Sequence, residues 1–302
     1  MKWLSKAYIW VIMVFLYAPI GVLIFFSFNQ SKSRSNFTGF TLDWYVKLFH
    51  NDLIIQSLIN TLIVALVSSV IATAIGTVAA VGINSMKRWK KSLIMNITYL
   101  PIVNPEIVIG VSFMLLFVMA QGLLSNIGMG FEFGYMTLIL AHVTFNLPYV
   151  ILNVMPKLRQ MDKYIYEAAL DLGCPPVKAF FKVVMPEIMP GILSGFLMAF
   201  TYSLDDFVIS YFVSGATSQT LPITIYSMTR RKVSPEINAI SAIIFVVVLV
   251  ILLLVNFHGA RREKQSRREG YGYETFFVPD PLFSPVVRLL CNRLCRIRGG
   301  GR

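Results

Sequence analysis

Residues 157–192 read KLRQMDKYIYEAALDLGCPPVKAFFKVVMPEIMPGI, a polar stretch between two long apolar segments. Asp162 is placed to cap a helix, residues 163–172 are good helix formers, and Gly173 suits the left-handed position that follows a helix end. The sequence therefore predicts one short helix that begins after Asp162 and ends at Gly173.

The two prolines after this helix predict a sharp turn and a second short helix. Pro175 and Pro176 cannot continue the first helix, but they suit the first turn of another. The second helix is expected to run from Val177 to about Met185, before Pro186. Apolar residues in each helix recur on one helical face and predict a stripe that needs a protein surface to cover it. The two stripes comprise Tyr166, Ala169, Leu170 and Gly173, and Val177, Phe180, Phe181 and Val184.

The spacing of this stretch resembles the EAA loop of ABC importer permeases. The Glu-Ala-Ala triplet at 167–169 is followed after three residues by Gly173, and after nine more by the segment 183–186. The family pattern has Ile and Leu where this chain has Val183 and Met185, which are conservative departures. The resemblance assigns a role in coupling to an ATPase to Glu167, Ala168, Ala169, Gly173, Phe180, Phe181 and Pro186.

This resemblance implies a set of partners. In the family the loop lies in the cytoplasm, docks in a groove of a separate ATPase and transmits its closure. A second permease completes the pore, a dimer of ATPase subunits uses ATP and Mg, and a periplasmic binding protein delivers the solute. No cofactor is expected in this chain, whose sequence lacks the G-x-x-x-x-G-K-[ST] phosphate loop. An amphipathic hairpin on the membrane surface is the alternative for the loop.

The composition predicts a membrane protein. Of 302 residues, 56% are hydrophobic and 14% are charged, which is too apolar for a water-soluble domain. Six stretches reach the roughly 20 residues that a helix needs to cross about 30 Å of hydrocarbon. They are 8–28, 57–83, 93–120, 133–155, 188–214 and 237–257. We therefore expect an all-α membrane protein with six transmembrane helices, in the type I ABC importer permease fold that the resemblance implies.

Two regions are expected along the chain. Residues 1–262 form the transmembrane permease domain, with the coupling loop at 157–187. Residues 263–302 form a basic tail that does not resemble the family and is either disordered or of cloning origin. A basic surface helix within the tail is a further alternative.

Positive charge predicts the orientation in a bacterial inner membrane. Lys and Arg crowd the connections at 87–91, 157–182 and 261–262, whereas 121–132 has none. This pattern places both termini and the coupling loop in the cytoplasm, although the cluster at 230–232 lies on the outer side. The net charge of +12 is concentrated at span ends and in the tail, so anionic lipid explains it better than nucleic acid.

Polar residues within the spans are the candidates for function. Pro101 and Pro105 predict a kinked or broken third span beside Glu106. Glu106 either lines the route nearer the cytoplasm or only bonds to backbone that the two prolines free. His142 in the fourth span is expected to be a packed, hydrogen-bonded core residue rather than a ligand. Carboxylates within a span are functional candidates by default, and the fifth span contains both Asp205 and Asp206.

The acidic pair suggests a cationic solute. If the fifth span is one continuous helix, neighbouring side chains point about 100° apart, so one aspartate faces the pathway and the other either pairs or faces the partner subunit. The alternative is that both bond to Arg230, Arg231 or a helix end. Carboxylates attract ammonium groups and aromatic rings add cation–π attraction. The predicted pathway residues are Asp205, Asp206, Tyr202, Tyr211, Phe212, Glu106, Tyr226 and Glu236.

A second resemblance gives the solute class. The stretches 202–210, 221–228 and 233–239 resemble permeases of spermidine/putrescine importers, and the resemblance covers roughly 8–258. It implies a transport subunit rather than an enzyme. No metal site is expected, because Cys291 and Cys295 lack a neighbouring His or further Cys. The alternatives are a permease for another small solute and an ATPase-independent cation channel or carrier, which would explain the membrane acids but not the loop.

Overall fold

The computed structural model describes residues 2–31, 36–126, 130, 132–231, 237–243, 245–247 and 249–250. The expectation of an all-α protein is confirmed over these residues, which form helices and one isolated bridge between Asn29 and Phe40. The helices are α1 Lys2–Ser27, α2 Asp43–Phe49, α3 Asp52–Asn84, α4 Arg88–Val103, α5 Glu106–Ser125, α6 Tyr135–Gln160, α7 Lys163–Asp171, α8 Pro176–Ala179, a π-helical turn Phe180–Val184, α9 Met185–Asp205, α10 Val208–Val213 and α11 Leu221–Arg231.

Five helices among the described residues are long and apolar enough to cross a membrane. They correspond to the first five predicted spans. A shorter apolar helix, Ile237–Val247, occupies the start of the predicted sixth span. Residues 251–257 of that span, Glu236 and the tail 263–302 lie outside the described residues.

The core forms where α3, α6 and α9 pack together. Small residues allow close approach, as expected where lipid competes for every apolar contact. A Cβ on Gly76 of α3 would lie 2.7 Å from a methyl carbon of Val150 in α6, and a Cβ on Gly195 of α9 would lie 3.2 Å from the Val150 Cα. Val150 is fully buried. Two neighbouring helices thus close on one valine of α6.

Polar bonds tie the connection after α10 to the start of α3. The Asn60 amide donates to the carbonyl of Gln219 at 3.0 Å, and the Leu221 N–H donates to the Thr61 hydroxyl at 2.7 Å. The Ser57 hydroxyl lies 2.7 Å from that of Thr224. These bonds fix the entry of α11 against α3.

Two predictions about where helices end have opposite outcomes in the structure. The expected break of the third span is confirmed, because α4 ends at Val103 and α5 begins at Glu106. The expectation that the second loop helix ends before Pro186 is wrong, because the chain stays helical from Pro176 to Asp205. The Met185 N–H bonds the Phe180 carbonyl five residues back, and this wider π turn lies immediately before the proline ring.

The close contact of α9 with α6 yields a first prediction. Gly191→Ala would place a Cβ 2.9 Å from the backbone carbonyl oxygen of Asn153. The free energy of unfolding should fall by about 1–3 kcal/mol, the cost of overpacking a filled core. Gly82→Ala is the matched control, since no atom lies within 4 Å of its Cβ position. Thermal unfolding midpoints in detergent measure both, and equal midpoints would contradict the predicted contact.

Candidate functional site

The fifth predicted span is broken between its two aspartates. Helix α9 ends at Asp205, and α10 begins at Val208 after an extended residue at Asp206 with φ −61° and ψ 118°. The sequence-based assumption of one continuous helix through both acids is therefore wrong. Their side chains differ in environment because one ends a helix and the other lies in the break.

Asp206 is the buried member of the pair. Its carboxylate accepts hydrogen bonds from the Ile209 N–H at 3.3 Å, the Ser210 N–H at 2.7 Å and the Ser210 hydroxyl at 2.8 Å. The His142 Nε2 lies 3.5 Å from the same carboxylate. Asp206 thus accepts hydrogen bonds from the free backbone N–H groups at the start of α10. This matches the alternative, given above from the sequence, that an aspartate of the pair bonds to a helix end.

Asp205 is the exposed member of the pair. It lies three residues after Tyr202 on α9, so both side chains occupy one helical face. The Tyr202 ring lies 4.4 Å from that of Tyr149 in α6, and Glu106 at the start of α5 is close enough to Tyr149 to act on it electrostatically. The structure therefore gathers predicted residues from two spans around a tyrosine that the sequence argument did not select.

The outer aromatic residues form a second group. The rings of Tyr211 and Tyr226 each contact Phe207, at 5.5 Å and 4.7 Å between ring centres. Arg230 stacks its guanidinium 4.9 Å from the centre of the Tyr226 ring. Phe212 packs instead towards α5, where a Cβ on Gly110 would lie 2.8 Å from its ring. Of the eight predicted pathway residues, Glu236 lies outside the described residues.

The predicted first helix of the coupling loop is confirmed with its caps. The Tyr164 N–H donates to the Asp162 carboxylate at 3.0 Å. Gly173 has φ +80°, in the left-handed region that favours glycine. The N–H groups of Gly173 and Cys174 donate to the carbonyls of Leu170 and Ala169, which are the paired bonds of a Schellman ending.

The apolar surface of this loop differs from the predicted stripes. Ala169 is 3% exposed, and Tyr166 and Phe180 pack against the core cluster of α3, α6 and α9, so the chain itself covers this face. Four other apolar side chains of the loop are more than half exposed, and Glu167 is exposed as well. The exposed apolar residues are Tyr164, Leu172, Val177 and Phe181.

Helix α6 contains three functional candidates that the sequence-based prediction either did not select or assigned only to packing. His142, Asn146 and Tyr149 follow the i, i+4, i+7 spacing of one helical face in an otherwise apolar span. All three contact the fifth span, through Asp206, Ser203 and Tyr202. This spacing is the feature of the sequence from which the three residues could have been selected. The described residues contain no group of three His, Cys, Asp or Glu side chains that could hold a metal.

In the described part of the chain, five apolar helices long enough to cross a membrane, with polar groups at internal breaks, indicate a multi-pass membrane protein. Residues 72–264 match the model of the binding-protein-dependent transport system inner membrane component family. This chain belongs to that family, as a permease subunit and not an enzyme.

Curated relatives agree with this assignment. The putrescine transport system permease protein PotI of Escherichia coli strain K12 is 40% identical over 257 residues, which cover 84% of this chain and 90% of PotI. The spermidine/putrescine transport system permease protein PotC of Haemophilus influenzae is 35% identical over 251 residues, which cover 83% of this chain and 94% of PotC. The resemblance drawn from the sequence is thereby confirmed.

Solved structures share the fold. A bacterial ABC transporter involved in the import of the acidic polysaccharide alginate has a chain with TM-score 0.67 and 19% identity, covering 86% of this chain and 96% of that one. An amino acid ABC transporter has a chain with TM-score 0.51 and 22% identity, and the match covers 73% of this chain and 99% of that one. The helices described above thus follow the ABC importer permease fold.

The unequal environments of the two aspartates predict unequal effects on stability. Asp206→Ala should lower the free energy of unfolding by about 1–3 kcal/mol, because it leaves buried donors of α10 without an acceptor. Asp205→Ala is the matched control and should change stability little. Thermal unfolding of the two purified variants in detergent tests this, and an equal loss for both would contradict the assignment of Asp206 as the buried partner.

Proposed function

We propose that this chain is one of two permease subunits of an ATP-driven importer for polyamines of the spermidine and putrescine class. The main support for this proposal is the exposed carboxylate of Asp205, which lies at a helix break within an apolar span. Among the described residues, no cation forms a salt bridge with Asp205. A carboxylate at membrane depth is costly unless it meets water or a cation, and a substrate can supply the cation.

The surroundings of Asp205 suit an alkyl ammonium compound. Tyr202 shares a helical face with Asp205, its ring lies 4.4 Å from that of Tyr149, and Glu106 adds a second carboxylate near Tyr149. Ammonium groups pair with carboxylates, while methylene segments and ammonium groups both find favourable contacts on aromatic faces. The 40% identity to a putrescine permease supports the same solute class.

The coupling loop supports ATP-driven transport. Its exposed apolar residues Tyr164, Leu172, Val177 and Phe181 offer a surface for an ATPase subunit. In this proposal two ATPase subunits bind ATP and Mg, a second permease forms the other half of the pore, and a periplasmic binding protein delivers the polyamine. Both termini and the loop lie in the cytoplasm, as the distribution of Lys and Arg indicates.

Two alternatives lead to different results with purified protein. A permease for another small solute would copurify with an ATPase but would not import labelled putrescine or spermidine. A cation channel or carrier would show uptake in proteoliposomes without any ATPase. The proposed importer should retain an ATPase and take up polyamine only with ATP and the binding protein.

Charge removal at Asp205 tests the site. Asp205→Asn keeps the shape but removes the attraction for a cation, so polyamine uptake by the assembled complex should fall about tenfold or more, the effect of losing one charge-assisted contact in a partly dehydrated passage. Complex yield and basal ATP hydrolysis should stay near normal. Uptake per complex at the unchanged rate would refute a pathway role for Asp205.

Substitutions at Gly173 test whether the loop couples the permease to an ATPase. Gly173→Val should reduce ATPase retention or uncouple transport, because a β-branched residue resists the φ of +80° at a cost of about 1–2 kcal/mol. Gly173→Asn is the matched control, since Asn tolerates left-handed backbone. No neighbouring atom lies within 4 Å of a Cβ here, so steric contact does not confuse the comparison. Copurified ATPase and uptake that are normal in both variants would argue against a docking role.

A further inference from the structure

Two polar side chains of α6 contact the fifth span on opposite sides of its break. On the far side, the His142 Nε2 lies 3.1 Å from the Ser210 hydroxyl and 3.5 Å from the Asp206 carboxylate. On the near side, the Asn146 amide donates to the Ser203 hydroxyl at 2.7 Å. Helix α6 thus holds both the last turn of α9 and the first turn of α10.

The two contacts act from one rigid element. His142 and Asn146 are four residues apart, so they lie on one face of α6, one turn from each other. His142 is 1% exposed and Asn146 is fully buried. The Ser203 hydroxyl also lies 3.2 Å from that of Ser68, which brings α3 into the same arrangement. The break is therefore fixed relative to two neighbouring helices.

These bonds specify geometry more than they add stability. Interhelical hydrogen bonds in membranes contribute modestly, but they have a direction and a length, whereas apolar contacts tolerate sliding and rotation. The chain around the break has few backbone constraints, because the regular ladder stops at Asp205. Without His142 and Asn146, the polar bonds described around the break are the Asp206 cap on α10, the Ser68–Ser203 contact with α9, and the bond from the Thr137 hydroxyl to the Val213 carbonyl of α10. None of these bonds by itself holds both α9 and α10 to one helix.

We propose that His142 and Asn146 are positioning residues for Asp205. By fixing Ser203 before the break and Asp206 with Ser210 after it, they keep the Asp206 carboxylate inside the protein and the Asp205 carboxylate on the open side. The transport consequence of this placement rests on the proposed function of Asp205, whereas the placement itself can be measured without any substrate.

The placement is measured by thiol labelling. In the assembled transporter, with Cys174, Cys291 and Cys295 replaced by Ser, Asp205→Cys reports the exposure of this position to a cationic methanethiosulfonate. His142→Leu and Asn146→Leu should each slow the labelling about threefold or more, the factor that corresponds to one lost interhelical hydrogen bond. His142→Gln keeps an N–H donor and should restore most of the rate.

A matched control separates positioning from general damage to α6. Asn153 lies on the same helix and donates to the Tyr149 carbonyl of that helix at 2.8 Å. Asn153→Leu should leave the labelling rate unchanged. If His142→Leu fails to assemble, Asn146→Ser decides, because the shorter side chain stays polar but does not reach Ser203.

Transport gives the second readout in complexes that retain Asp205. The number of polyamine molecules imported per ATP hydrolysed should fall about threefold or more in His142→Leu and Asn146→Leu. Lower complex yield with unchanged labelling and an unchanged ratio would overturn the proposal, because it would indicate a stabilising role only. If the wild-type complex imports no polyamine, the proposed function fails, and labelling alone then tests the positioning.

Discussion

The bonds of the Asp206 carboxylate are the interaction on which the geometry of the site depends. A helix break inside an apolar span frees backbone N–H groups, and hydrocarbon offers them no water. Asp206 accepts bonds from the Ile209 and Ser210 N–H groups and so satisfies the start of α10 internally. The break can then persist at membrane depth, with Asp205 as the exposed end of α9.

This arrangement requires helices that approach closely. The small residues of α3 and α9 bring these helices against Val150 of α6, as the short Cβ distances at Gly76 and Gly195 indicate. Only at such separations do the short polar side chains of Ser203 and Asn146 reach each other across the helices. Packing of small residues and placement of polar groups are therefore two consequences of the same sequence pattern.

The coupling loop and the candidate site are joined by continuous helix. From Pro176 the chain runs through the π turn into α9 and ends at Asp205, a segment of 30 residues. Phe180 in the π turn packs against the core while Phe181 stays 59% exposed. In the proposed importer, movement imposed on the loop by an ATPase would reach Asp205 through this helix, because a helix transmits displacement along its axis.

The sequence by itself determined the features with local causes. Asp162 and Gly173 cap α7 through bonds to residues at most five positions away, and Pro105 interrupts the third span because its ring and missing N–H act on the adjacent turn. The tertiary structure decided how the break after Asp205 is held, at a place where neither proline nor glycine occurs. The Asp206 cap on α10 is local, but the contacts to Ser203 before the break and to Ser210 after it come from side chains of α6 more than 50 positions distant, and hydrophobic periodicity does not reveal such partners. The sequence also did not show that the apolar stripe of α7 packs against this chain itself. A periodic pattern identifies an apolar face but not the surface that covers it.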